Sequence, residues 1–143
     1  DDLGKRGQIT LIYAGGIRNG ADVAKAIALG ADAIAIGHSA MMALNCNKDI
    51  PEANYREEVG AEPGYCYNCH TRLDPDEAAE RVYNFLHTLT IEAQLFARAC
   101  GKTHLHSLEP EDLAALTMEA SAMAGVPLAG TNHTVGVEDY HHL

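Results

Sequence analysis

Cys66, Cys69 and His70 stand as C-x-x-C-H in the stretch "GYCYNCHTRLDP", and Cys46 lies upstream of them. Residues of these types at this spacing can anchor a c-type haem, or supply ligands to zinc or an iron–sulfur cluster. Haem attachment of this kind belongs with exported, mostly helical proteins. The opening "DDLGKRGQ" has neither the basic segment nor the apolar run of a secretory signal. Zinc needs four ligands, which Cys46, Cys66, Cys69 and His70 could supply by count. Against that set, neighbours such as Cys69 and His70 seldom both reach one tetrahedral ion. A cluster would take the three thiolates of Cys46, Cys66 and Cys69. Cys100 falls on a helical apolar stripe and is expected to pack there as a small hydrophobic residue.

A second constellation is made of glycines. "YAGGIRNGAD" and "AIAIGHSA" each follow a strand-like run and precede a helical pattern. That order sets backbone N–H groups and a helix start at the carboxyl end of parallel strands, where a phosphate binds favourably. In β/α barrels the phosphate site is built by the loops after the last two strands, and Gly15, Gly16 and Gly37 suit that arrangement. Two ordinary strand-to-helix turns would carry glycine as well, so the pattern by itself leaves both readings open. A dinucleotide fold is disfavoured, because no G-x-G-x-x-G follows the first strand.

The elements that must hold these residues follow from hydrophobic period. "QITLIY", residues 8–13, reads as a buried strand. Val23, Ala24, Ile27 and Ala28 form one face of a helix capped by Asn19 or Asp22 and stopped at Gly30. "ADAIAIG" is a second strand, apolar on both faces as in a covered parallel sheet. Strand, helix and strand make a βαβ unit. A short helix follows from His38 towards Cys46, and then a polar stretch, 47–73, too long for an ordinary connection. Asp74, Pro75 and Glu77 open a long helix with a capping box. Its expected stripe is Val82, Phe85, Leu86, Leu89, Ala93, Phe96 and Cys100, ended by Gly101. A last helix is expected after "LEPEDL", with Leu113, Leu116, Ala120 and Met123 as its apolar stripe.

The chain has 143 residues, 47% of them hydrophobic, and a net charge of −10. That charge disfavours nucleic acid and anionic membrane surfaces, which reward stripes of Lys and Arg. No apolar run approaches the roughly 20 residues of a membrane helix. With four cysteines, no disulfide framework and no export signal, a cytoplasmic location is expected.

The run "GGIRNGADVAKAIALGADAIAIGHSAMMALNC", together with "CHT" and "ARACGKTHLHSLEPEDLAALT", resembles the FMN and iron–sulfur domain of glutamate synthase large subunits and their stand-alone relatives, over about residues 10–132. The resemblance implies an α/β fold: the closing βαβ segment of an FMN-binding (β/α)8 barrel over residues 1–46, a cluster loop over 47–73 and a C-terminal helical extension over 74–143. It assigns the FMN phosphate to Gly15, Gly16 and Gly37, with Arg18 and His38 alongside. His38 departs from the small hydroxyl residue expected there. Cys46, Cys66 and Cys69 are implied as ligands of a 3Fe-4S or 4Fe-4S cluster.

The implied activity is that of an oxidoreductase acting on 2-oxoglutarate or glutamate, in glutamate biosynthesis, and the flavin subunit of N-methylglutamate synthase is the related alternative. A phosphate-binding barrel fragment with a structural zinc is a non-redox alternative, and a partner-binding module is a third. No catalytic proton donor is identifiable. The implied partners are the rest of the barrel and, in an oligomer, an amidotransferase-type or electron-donor subunit. The family pattern continues from C-H-T into a further cysteine, whereas Thr71 runs here into Arg72, Leu73 and Asp74. A segment omitted after Thr71 is therefore expected. A barrel needs eight strands, so the chain is also expected to be the C-terminal piece of a protein about three times longer.

Overall fold

A computed structural model describes residues 4–44 and 74–136. Cys46, Cys66 and Cys69, with the expected cluster loop and the Thr71–Arg72 junction, lie outside the described residues. Contacts divide the chain into two units, residues 1–35 with 89–143, and residues 36–88.

In the first unit, β1 (Ile12–Ala14) leads into α1 (Gly20–Ala28) and then β2 (Ala33–Ala35). The strands are parallel, with Ile12 opposite Ala33 and Ala14 opposite Ala35. This is the expected βαβ unit. Both strands are shorter than their apolar runs, since Arg6–Gln8 forms a 3-10 turn ahead of β1. Their start is set by Asp32, whose carboxylate accepts the Leu11 N–H at 2.7 Å and lies 3.0 Å from the Arg6 guanidinium. The Leu11 carbonyl in turn accepts from Asp32 and Ala33. An exposed ion pair is worth little; what Asp32 contributes is a satisfied donor at the strand entry.

Val23, Ala24, Ala26, Ile27 and Ala28 of α1 are buried, with Ile17 and Ala31 at either end. The strands are not. Ile12 is 59% and Tyr13 46% exposed, which corrects the expectation of a sheet covered on both faces. Among the described residues the sheet has two strands and one crossover helix, too little to cover two faces.

Helix α3 (Pro75–Ala99) begins in the second unit and ends in the first. Leu89, Ala93 and Ala97, at four-residue steps, are its buried positions in the first unit. A Cβ placed on Gly20 would lie 2.4 Å from the Ala93 nitrogen and 2.7 Å from the Leu89 carbonyl oxygen. Only glycine permits that approach. The Gly20 N–H also donates to Glu92 Oε2 at 2.6 Å, a charge-assisted bond. The expected stripe is therefore corrected. It holds at Leu89 and Ala93, whereas Leu86 and Phe96 are 40% and 42% exposed and Ala97 is buried instead. Cys100 is exposed, not packed: the helix closes at Ala99 and the turn through Gly101 carries the thiol away from the buried row.

The C-terminal part of this unit holds two short 3-10 turns and α4 (Met118–Ala124), capped by Thr117. The last helix starts later than expected, because Pro110–Asp112 forms a 3-10 turn closed by a Glu109–Asp112 capping box. Leu116 and Met123 are 87% and 89% exposed, so the expected stripe is not its buried side. Ser121 is fully buried instead, donating to the Val126 carbonyl at 2.7 Å and accepting the Val135 N–H at 3.0 Å.

In the second unit, α2 (His38–Ala43) starts at Gly37. Asp74 caps α3 as expected, its Oδ1 accepting from Asp76 and Glu77. The Glu77 carboxylate pairs with Arg81.

Gly20→Ala tests the close approach. Helix propensity alone favours alanine by about 1 kcal/mol. Overlap with backbone atoms costs about 1–3 kcal/mol or more and wins, because a peptide nitrogen cannot rotate aside as a side chain would. The variant should unfold at lower denaturant than the parent full-length protein; an unchanged or raised midpoint would show that the two helices are not in contact.

Candidate functional site

Gly15 and Gly16 leave the end of β1 with φ of 108° and 69°. An added Cβ would meet nothing within 4 Å at either position. Dihedral angle rather than crowding therefore selects glycine here, since L-residues rarely adopt this half of backbone space. The loop is open above the pair and anchored beneath by Ile17, which is buried.

Beyond it, the chain's own acceptors occupy the head of α1. The Asn19 side chain accepts the Asp22 N–H at 3.0 Å, and Asp22 Oδ2 accepts the Arg18 N–H at 3.1 Å. The Gly20 N–H goes to Glu92. The anion donors expected at this helix start are thus engaged at Arg18, Gly20 and Asp22. The Arg18 side chain is 79% exposed, with Nε 3.6 Å from Asp22, and Lys25 Nζ is 3.1 Å from the same carboxylate. Burial pushes the Asp22 carboxyl up, but the Lys25 hydrogen bond and the Arg18 N–H outweigh it and leave the group below its ordinary 3.8. Asp22 stays ionised between the cations of Arg18 and Lys25, and the Glu92 carboxylate on the Gly20 N–H is a second negative group at this helix head.

Of the residues expected to hold a phosphate, Gly15, Gly16 and Arg18 share this loop. Gly37 and His38, both exposed, belong to the second unit at the head of α2. Glu92 was not foreseen; its signal is a carboxylate inside the buried row of α3, between Leu89 and Ala93. A groove of about 530 Å³ runs beside β1 and α1, lined by Leu11, Ile12, Tyr13, Lys25 and Leu29 among others. At the opposite, entry end of the strands, His106 Nε2 lies 2.9 Å from the Asp32 carbonyl oxygen. The Arg6 hydrogen bond and the Leu11 N–H hold the Asp32 carboxyl below its ordinary value. Among the described residues no three His, Cys, Asp or Glu side chains gather as a metal site, and no helix is long and apolar enough to cross a membrane.

The parallel strand–helix–strand unit and its glycine loop define an α/β protein segment. A family model described as a conserved region in glutamate synthase matches residues 1–103, and the chain belongs to that family. It is 50% identical, over 92% of its length, to a glutamate synthase large subunit-like protein of Rhizobium meliloti, of which it covers 33%. It is 59% identical, over 73% of its length, to an archaeal-type glutamate synthase [NADPH] of Thermotoga neapolitana, covering 20% of that protein. A second protein of that name, from Dehalococcoides mccartyi, is 32% identical over 89% of the chain and is covered to 26%. The chain thus spans a third or less of these relatives. The Rhizobium match runs for 147 residues although only 92% of 143 take part, so the relative carries residues inside the matched span with no counterpart here. No solved structure matches the chain.

Asp32 and Asp22 make stability pH-dependent. Both carboxyls are depressed in the folded chain, so their contribution is present above the ordinary value of 3.8 and is lost as pH falls through the folded value. Acid titration of Asp32→Asn should therefore show a shallower loss of denaturant midpoint below about pH 4 than the parent shows. Identical slopes would mean that Asp32 is not paired.

Proposed function

We propose that this chain is the part of a glutamate synthase-like oxidoreductase that closes a flavin-binding β/α barrel and carries the phosphate end of its FMN site. The observation that carries the reading is the pair of left-handed glycines at the end of β1, beside an exposed Arg18, in a chain of the glutamate synthase family. An open, glycine-lined turn beside the exposed Arg18 guanidinium fits a phosphate monoester, which needs close backbone approach and a cation. Gly15, Gly16 and Arg18 would hold the phosphate from this loop, and Gly37 and His38 from the following strand's loop. His38 offers a ring nitrogen where a hydroxyl is expected, so backbone contacts would carry more of the binding there. When bound, a flavin supplies hydride chemistry, here the reduction of an imine formed from a 2-oxo acid and an amine. The chain's own share is to bind and orient.

Cys46, Cys66 and Cys69 are proposed as thiolate ligands of an iron–sulfur cluster. The Rhizobium relative is longer than this chain within the matched span; we propose that the difference includes a segment after Thr71, where a further cysteine would fall. The exposed apolar face of β1 and the groove beside it are proposed to receive the preceding strand and helix of the barrel. A nicotinamide-derived reductant, as in the names of the Thermotoga and Dehalococcoides relatives, would supply electrons through a donor subunit.

Two assays on the full-length protein test this. Gly16→Val forces a branched residue into left-handed space and should strip most of the bound flavin, read as visible absorbance per polypeptide. Gln94→Ala, on an exposed turn of α3, should retain it; equal flavin in both variants would refute the loop assignment. Iron and sulfide analysis decides the second point. Cys69→Ser should lose cluster iron and Cys100→Ser should keep it, and the reverse pattern would overturn the ligand set.

A further inference from the structure

Glu92 reaches the glycine loop from a helix distant in sequence. Its carboxylate takes the Gly20 N–H at 2.6 Å. It does so where the α1 backbone is pressed against Leu89 and Ala93 too closely for any Cβ. Gly20 directly follows the cap residue Asn19 and closes the loop that begins at Gly15. Two constraints therefore fix that loop at its far end: the steric stop of α3 and the hydrogen bond from Glu92. We propose that Glu92 is a positioning residue for phosphate recognition: by holding the head of α1, it keeps the Gly15–Arg18 turn in its anion-accepting form. This rests on the reading that the loop receives the FMN phosphate.

Two effects of opposite sign would follow loss of the carboxylate. Removing a negative charge and freeing the Gly20 N–H would favour an anion. Releasing the loop would disfavour it, because the glycine pair, the most permissive residues in the chain, then pays the cost of ordering on binding. The second effect outweighs the first. The carboxylate already faces a helix N-terminus that offsets its charge, whereas the bonds that Asn19 and Asp22 make near this end are short-range and do not tie the loop to α3.

The test compares FMN with riboflavin, which lacks the phosphate, on the full-length protein stripped of flavin. The parent should bind FMN more tightly than riboflavin. Glu92→Ala should weaken FMN by about ten-fold or more and leave riboflavin within about two-fold, and Glu92→Gln, which keeps an acceptor oxygen, should restore FMN binding. FMN and riboflavin weakened alike would reveal a general structural role and overturn the proposal. FMN binding unchanged or tightened by Glu92→Ala would overturn it too, showing that the carboxylate only competes with the anion. A parent that does not distinguish the two flavins would sink the phosphate-loop reading itself, and Glu92's role with it.

Discussion

The contact between Gly20 and the 89–93 turn of α3 is the constraint on which the first unit depends. It combines a steric demand, backbone against backbone with no room for a Cβ, with a charge-assisted hydrogen bond at a helix start. The crossover helix of a βαβ unit normally packs on its own sheet. Here it also backs onto a helix that follows in the chain only after the cysteine-bearing segment. The approach is made at Gly20, whose backbone meets Leu89, Glu92 and Ala93 of α3. At this point a glycine lets backbone meet backbone, a contact that any side chain would prevent.

The charged groups follow a similar economy. Asn19, Asp22 and Glu92 supply oxygen acceptors to the head of α1, and Asp32 does so at the strand entry. All four meet backbone N–H groups that would otherwise go unpaired, and ion pairing with Arg6, Arg18 and Lys25 adds to that role. The result leaves the turn at Gly15 and Gly16 as the open part of the strand exit, with Arg18 and Lys25 set against the carboxylates of Asp22 and Glu92.

Local pattern made much of this legible. The βαβ order, the Asn19 and Asp74 caps, and the helix stops at Gly30 and Gly101 could be read because each depends on residues a few positions apart. Strand burial and the α3 stripe could not. Alternation and period report which residues are apolar, and burial also needs a partner surface, which for Ile12 and Tyr13 the described residues do not include. Of the expected stripe Leu89 and Ala93 are buried, whereas Leu86, Phe96 and Cys100 are exposed and Ala97 is buried instead. In the candidate site, Gly15 and Gly16 were legible from the strand-to-helix transition, and Arg18 entered only through the family resemblance. Glu92 was not, because its partner is a backbone N–H on another helix and no spacing rule links positions so far apart.

Hydrogen exchange across residues 15–20 of the full-length protein, with and without saturating FMN, tests the central claim most directly. Binding of the phosphate at this loop predicts slowed exchange at Gly15 and Gly16 on adding FMN, with Gly20 already protected in its absence by the bond to Glu92. Saturated flavin binding with no change at Gly15 and Gly16 would contradict the account, and so would a Gly20 amide that exchanges freely before flavin is added.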